Sequence, residues 1–323
     1  MEERIHEIIK QELNAKVLEV KRINEGYSHY MYDVKMDTTP YEMIIRFSNN
    51  KRKDVNLGKE EFVINLLKEN DIPVPKIYAI KKEGCEGYIL LEKVKGERLD
   101  IIWGSLSDEN KKQVTEKIGE LLARIHKIEL KEFGMIEEGG EIRSDEAFKF
   151  RKVGEELLFS PFLRQRLMDF FEDVSRLLSY KTISPEFFSK FILYLTKNLE
   201  KIEYKGKPVL NHGDFIPGHI FVEKKGNEYE IVGLIDFEFA LAYAPEYDFL
   251  KLHRAGFFEN PELKKALEEG YGREVDGNAV EIHRLMRDLG FAWAVLEAGN
   301  KELSDKTLKD IEGKINKKFN EGI

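Results

Sequence analysis

A chain of 323 residues with 42% hydrophobic and 35% charged residues is too long for one small core and too apolar for a disordered polymer, so two folded lobes, or one lobe carrying a large helical addition, are expected. Its net charge of -8 removes the electrostatic footprint of a general nucleic-acid binder and would tolerate or attract a cationic small molecule. The single cysteine, Cys85, excludes an internal disulfide framework and a multi-cysteine zinc site, and no run approaches 18 uninterrupted apolar residues. With a charged, non-apolar start, a soluble, cytoplasmic protein with no membrane or nucleic-acid partner is expected, as a monomer.

Ile5, Ile8, Ile9 and Leu13 recur at helical spacing, which predicts a short amphipathic helix over residues 4 to 13, packed on the first sheet. Val17 to Ile23 alternates as a strand, Asn24 to His29 turns, and Tyr30 to Met36 returns. Backbone amides and the Ser28 hydroxyl on that turn could donate to phosphates, although an ordinary hairpin would read the same. A third strand, Tyr41 to Phe47, carries Arg46, and the helix from Lys59 to Asn70 carries Glu60 one turn before Ile64. Glu60 is the candidate partner of Arg46, while a surface arginine at a strand end is the plainer alternative. Asp71-Ile72-Pro73-Val74-Pro75 stops that helix, because each proline disfavours helix in the residue before it.

Lys76 to Lys81 and Gly87 to Glu92 read as two further strands, followed by a crossing at Glu92 to Glu97. The backbone of Glu92 and Val94 there is the candidate for pairing with a nucleotide base, and the lobes divide into residues 1 to 95 and 96 to 323. Ser107 caps a long helix with a stripe of Val114, Ile118, Leu121 and Ile125, ending at a structural His126. Residues 141 to 205 read as a helical insertion: one helix from Pro161 to Tyr180, then one from the Ser184-Pro185 cap through about Tyr204. Residues Pro261 to Asn320 are also read as helical, broken at Gly270 to Gly277.

The informative stretch lies between. Val209 to Asn211 runs into His212-Gly213-Asp214, His219 follows five residues after Asp214, and Ile231 to Ile235 leads into Asp236-Phe237-Glu238. Order and spacing match the kinase pattern of a loop aspartate, a metal-binding side chain five residues on, and a strand-end Asp-Phe-Gly, with His219 and Glu238 as departures. Phosphoryl transfer needs positioning and charge neutralisation more than covalent help. Asp214 would therefore accept the proton or hydrogen bond of an attacking hydroxyl, and Asp236 would hold the metal that bridges the phosphates. Two aspartates capping hairpin turns remain the structural alternative.

With Glu-Gly-Tyr-Ser, Ile-Ile-Arg, Ile-Pro-Val-Pro, Leu-Leu-Glu-Lys-Val-Lys-Gly, His-Gly-Asp, Ile-Asp-Phe and Pro-Glu-Tyr-Asp in place, the chain resembles the aminoglycoside phosphotransferase and related small-molecule kinase family. The resemblance implies an α+β, two-lobed, protein-kinase-like fold, with an antiparallel sheet and helix in the first lobe and a mostly helical second lobe. It further implies ATP or GTP with Mg2+, Asp214 as catalytic base, Asp236 and His219 as metal ligands, Arg46 at the phosphates and Glu60 holding it. Asp248 is structural in this reading, and Glu238 faces an acceptor, where a carboxylate would suit an ammonium group. Histidine at 219 and Glu-Lys-Val-Lys-Gly at the crossing are similar to the 2''-aminoglycoside phosphotransferases, so transfer to a 2''-hydroxyl of an aminoglycoside is expected. A kinase of a sugar, amino alcohol or other small metabolite is the rival, and a non-catalytic nucleotide-binding module is the third possibility.

Overall fold

A computed structural model describes residues 1–23, 29–48, 57–82, 87–143 and 161–320. Helix α1 (Glu2–Leu13) buries Ile5, Ile8 and Ile9, and Asn14 ends it in the left-handed conformation that its short polar side chain tolerates. The stripe packs with Val17, Val34, Met43, Ile45 and Phe47 on one face of a sheet, as its periodicity requires.

That sheet comprises β1 (Val17–Ile23), β2 (His29–Met36), β3 (Glu42–Ser48), β4 (Ile77–Lys81) and β5 (Tyr88–Glu92), in the antiparallel order β1-β2-β3-β5-β4. Side chains alternate along β3, so Met43, Ile45 and Phe47 join the α1 cluster while Ile44 and Arg46 take the opposite face. Helix α2 (Leu57–Glu69) lies over that second face with Val63, Ile64 and Leu67 buried. It starts two residues earlier than the sequence reading placed it.

After the crossing come β6 (Glu97–Arg98), α3 (Leu99–Ile102) and α4 (Asp108–Ile125). Ser107 Oγ accepts the Asn110 N–H at 3.2 Å, and Asp108 and Glu109 in the first turn complement the helix dipole. Burying Val114, Ile118, Leu121, Leu122 and Ile125 stabilises this helix by roughly 1.5–3 kcal/mol per side chain. There follow β7 (Gly134–Ile136), β8 (Ile142–Arg143), α5 (Pro161–Ser179), α6 (Pro185–Lys197), α7 (Leu199–Ile202), β9 (Val209–Asn211), β10 (Ile220–Lys225), β11 (Glu228–Leu234) and β12 (Leu241–Tyr243). The chain closes with α8 (Phe249–Arg254), α9 (Pro261–Tyr271), α10 (Gly277–Glu297) and α11 (Lys301–Asn320).

Residues 141 to 205 differ from a purely helical insertion. Ile142–Arg143 pairs with β7 as a strand, and residues 144–160 lie outside the described part. Helix α6 stops at Lys197 because Asn198 turns its side-chain amide onto the Tyr194 carbonyl at 2.8 Å, offering the backbone an alternative to further helix.

One apolar cluster runs from α2 and β5 through α4 to β10, β11, α8 and α9, and therefore spans the crossing at residues 93–96. A second joins α5, α6, α10 and α11. Helices α4 and α9 meet through glycines on both sides: a Cβ on Gly119 would lie 2.2 Å from the Leu267 carbonyl oxygen, and one on Gly270 would lie 1.9 Å from that of Glu116. Among the described residues, no helix is long and apolar enough to cross a membrane.

Candidate active site

Strand β9 delivers the chain into the turn His212-Gly213-Asp214. Gly213 has φ +80, and a Cβ there would sit 2.0 Å from the Phe239 carbonyl oxygen, so the turn admits glycine alone. Asp248, 1% exposed, clamps it: Oδ2 accepts the His212 N–H and Oδ1 the Gly213 N–H, each at 2.8 Å. His126 Nε2 stands 3.3 Å from the same carboxylate, and His126 Nδ1 lies 2.8 Å from the Tyr271 hydroxyl. These contacts give Asp248 and His126 the structural places expected of them. His212 is fixed from both sides, Nε2 2.9 Å from the Ile235 carbonyl and Nδ1 3.3 Å from the Asp214 N–H. That pattern suits a neutral ring with its proton on Nε2, and burial, with His219 nearby, holds its pKa below the ordinary value.

The Asp214 side chain is 20% exposed, with Oδ1 3.0 Å from Lys251 Nζ of α8. Burial pushes this carboxyl up, but the Lys251 charge and hydrogen bond, with smaller help from both histidines, outweigh it and leave the pKa below the usual aspartate value. The short turn Pro217–His219 brings His219 back, with Nδ1 2.9 Å from the Asp214 carbonyl oxygen and the ring stacked on His212 at 5.7 Å. An Nδ1–H donated to that carbonyl leaves the Nε2 lone pair directed at Asp236 Oδ2, 3.4 Å away.

Asp236 follows β11 in the left-handed region, at φ 72, an uncommon conformation for a residue with a side chain. Its Oδ1 is buried with no hydrogen-bond partner, and the nearest cation is Arg46 Nη1 at 3.9 Å. Arg46, 4% exposed, reaches from β3 and makes a direct ion pair with Glu60 of α2, itself 2% exposed. The structure thus brings together Asp214, His219, Asp236, Arg46 and Glu60 from four separate stretches of sequence.

An orphaned carboxylate oxygen beside an imidazole lone pair is a donor set that fits a divalent cation. Among the described residues no group of three His, Cys, Asp or Glu side chains forms a full cage. Two protein donors suit Mg2+ carried by a nucleotide, because that ion keeps waters and phosphate oxygens in its shell.

The remaining expected residues are placed less centrally. Glu92 N–H donates to the Lys76 carbonyl at 2.8 Å and its side chain accepts the Lys76 N–H at 3.1 Å, so its amide is engaged in the sheet. Val94 lies against β11, where a Cβ on Gly233 would come within 2.2 Å of Val94 Cγ1. Ser28 lies outside the described residues. The carbonyl of Glu238 accepts from Lys59 Nζ of α2 at 2.8 Å, and Glu238 is not a lining residue of the cavity beside Asp214.

That cavity, about 480 Å³, lies between α5, α8 and α10, with Lys251, Tyr247, Arg166, Asp173 and Arg287 in its wall. Lys251, Lys59 and Arg287 were not singled out by the sequence. Lys59 adjoins Glu60 on the buried start of α2, which was the one available hint.

A family model described as the phosphotransferase enzyme family matches residues 19–287. The structure of an aminoglycoside 2''-phosphotransferase in complex with GDP and kanamycin is similar, with TM-score 0.70 and 16% identity, over 96% of this chain and 97% of that one. A macrolide 2'-phosphotransferase from Brachybacterium faecium has TM-score 0.63 and 16% identity, over 95% and 98%. A spectinomycin phosphotransferase with ADP and spectinomycin has TM-score 0.58 and 14% identity, over 95% and 93%. No curated protein sequence matches the chain significantly. The likeness to these structures establishes the fold, a two-lobed α+β kinase-like one.

Proposed function

Because the chain belongs to the phosphotransferase enzyme family, we propose that it moves the terminal phosphoryl group of ATP or GTP to a hydroxyl of a small molecule. The observation that carries this reading is the convergence at His219, whose Nδ1 lies 2.9 Å from the Asp214 carbonyl oxygen and whose Nε2 faces the Asp236 carboxylate 3.4 Å away, so that the loop and the strand end meet at one site. A base and a metal-binding carboxylate held in this relation suit in-line displacement at phosphorus.

Asp214 accepts the proton of the acceptor hydroxyl as its oxygen bonds to the γ-phosphorus, while the bond from that phosphorus to the β,γ-bridging oxygen breaks and the nucleoside diphosphate leaves. Lys251 keeps Asp214 ionised and oriented. Asp236 and His219 would hold Mg2+, which when bound neutralises charge on the phosphates. Arg46 neutralises phosphate charge from the other side, and Glu60 keeps its guanidinium in place. The Glu92 to Val94 backbone receives the base. The lobes are 1–95 and 96–323, and the protein works as a cytoplasmic monomer.

An aminoglycoside modified at the 2''-hydroxyl is the acceptor suggested by the motifs and by the kanamycin in one similar structure. A small hydroxylated metabolite is the alternative acceptor, favoured by Arg287, a cation in the wall of the cavity near Asp214 that no ion pair among the described residues neutralises.

Transfer of labelled phosphate from ATP and from GTP to a panel of aminoglycosides and small hydroxylated metabolites tests the reading, with Asp214→Asn as the blank. Transfer that disappears in the blank is expected. Nucleotide binding with no transfer to any acceptor, in Mg2+ or Mn2+, would instead favour a non-catalytic module.

A further inference from the structure

The cavity between α5, α8 and α10 is rich in cations, and almost all of them are answered within the chain. Lys251 pairs with Asp214 at 3.0 Å, and Arg254 and Arg284 share Asp288. Arg176 pairs with Glu172, while Arg166 donates to the His283 carbonyl at 3.1 Å with Asp169 at 3.9 Å.

Arg287 differs. Its guanidinium lies over the Tyr247 ring, 4.8 Å from the centroid, and among the described residues no carboxylate reaches it at ion-pair distance, Asp214 and Asp288 attracting it only from farther off. A guanidinium is always charged, and its planar fork matches a carboxylate or phosphate bidentately, so one left open in a cavity wall is a ready anion receptor. Tyr247 supports it from below while leaving its hydrogen-bond donors available. Lys251, the partner of Asp214, shares the same wall, so an anion at Arg287 would belong to a molecule whose other end reaches the proposed base. Asp173 also lines the cavity, with its carboxyl pushed up to about 6 by burial and by Asp169.

We propose that the acceptor carries, besides its hydroxyl, a carboxylate or phosphate group that Arg287 binds beside Asp214. This rests on the phosphotransferase reading for the identity of the ligand as acceptor, while the anion site itself rests on the cavity alone. It gives the enzyme an acidic hydroxylated substrate and sets it against polycationic antibiotics.

Two measurements test it. In the first, transfer from ATP and GTP is compared for glycerol, D-glycerate, glycerol 3-phosphate and kanamycin, using the native enzyme, Arg287→Met and Arg287→Lys. A kcat/KM at least tenfold higher for an anionic acceptor than for glycerol is expected, with glycerate and glycerol 3-phosphate separating carboxylate from phosphate. Arg287→Met should raise KM for the preferred anion tenfold or more with little change for glycerol, and Arg287→Lys should recover part of the loss. Equal or better use of glycerol or kanamycin overturns the proposal.

In the second, glycerate and glycerol 3-phosphate are titrated into the protein calorimetrically, with thermal unfolding confirming that each variant is folded. Saturable binding to the native chain that Arg287→Met abolishes supports the anion site, and no binding, or binding indifferent to Arg287, overturns it. If no acceptor is phosphorylated and no nucleotide binds, the phosphotransferase reading has failed, and this titration still decides the site.

Discussion

His219 is where the chain departs from the oxygen ligands that Mg2+ prefers. In the proposed site its Nε2, 3.4 Å from Asp236 Oδ2, would offer an imidazole to the metal instead, and imidazole favours first-row transition ions over Mg2+. His219→Asn should therefore lower the ratio of Mn2+-supported to Mg2+-supported turnover, and a ratio that stays constant across metal titrations would remove His219 from the metal shell. Asp214→Asn should reduce kcat by about 100-fold or more while nucleotide affinity stays within about twofold, because a general base acts on the chemical step. Unchanged turnover in that variant would take Asp214 out of the mechanism. These residues were legible in sequence because each sits in a short segment with fixed spacing, from His212 to His219 and from Ile231 to Asp236. Lys251 and Arg287 were not, because what distinguishes them is the neighbour each finds in space, Asp214 for one and an aromatic face for the other.

At the level of elements, the turn bearing Asp214 is held by the start of another segment, since Asp248 accepts the two consecutive amides of His212 and Gly213. Asp248→Asn has one oxygen for two donors, and a buried unmet N–H costs about 1–3 kcal/mol. That loss should appear in the urea midpoint together with reduced kcat, and an unchanged midpoint would show the clamp to be dispensable. The α4 and α9 crossing makes a similar demand. Gly270→Ala would press a methyl into the Glu116 carbonyl, and overpacking of this kind costs about 1–3 kcal/mol. Gly270→Ala should lower the thermal midpoint, and full retention of it would show that the helices can separate freely. The amphipathic stripes of α1, α2 and α4 were readable from periodicity, and their ends from caps such as Ser107. The end of α6 was not, because Asn198 stops it by a hydrogen bond that competes with ordinary helix continuation rather than by glycine or proline.

For the whole molecule, acid should be destabilising. Burial lowers His253 to about 4 and His283 to about 3, so between their unfolded value near 6.5 and those values the unfolded chain binds protons that the folded chain does not. Stability from these groups is complete above 6.5 and is lost as pH falls, by up to about 3 kcal/mol for His253 at 1.4 kcal/mol per pKa unit. Asp173, raised to about 6, opposes this, since its folded form takes up a proton first and gains stability as pH falls from 6 toward 4. Urea midpoints at pH 7 and pH 5 should show a net loss, and His253→Gln should make that loss shallower. Equal slopes for the variant and the native chain would exclude His253 as a contributor.

The fold also ties its halves together with its own side chains. Lys59 reaches from α2 to the Glu238 carbonyl, and Arg46 stands between Glu60 and Asp236. In signalling kinases the corresponding cation–glutamate pair is what an activating modification assembles. Here residues of the chain assemble it unaided. Such an arrangement asks for no activating modification to bring the pair together, so the chain as translated is expected to turn over without one.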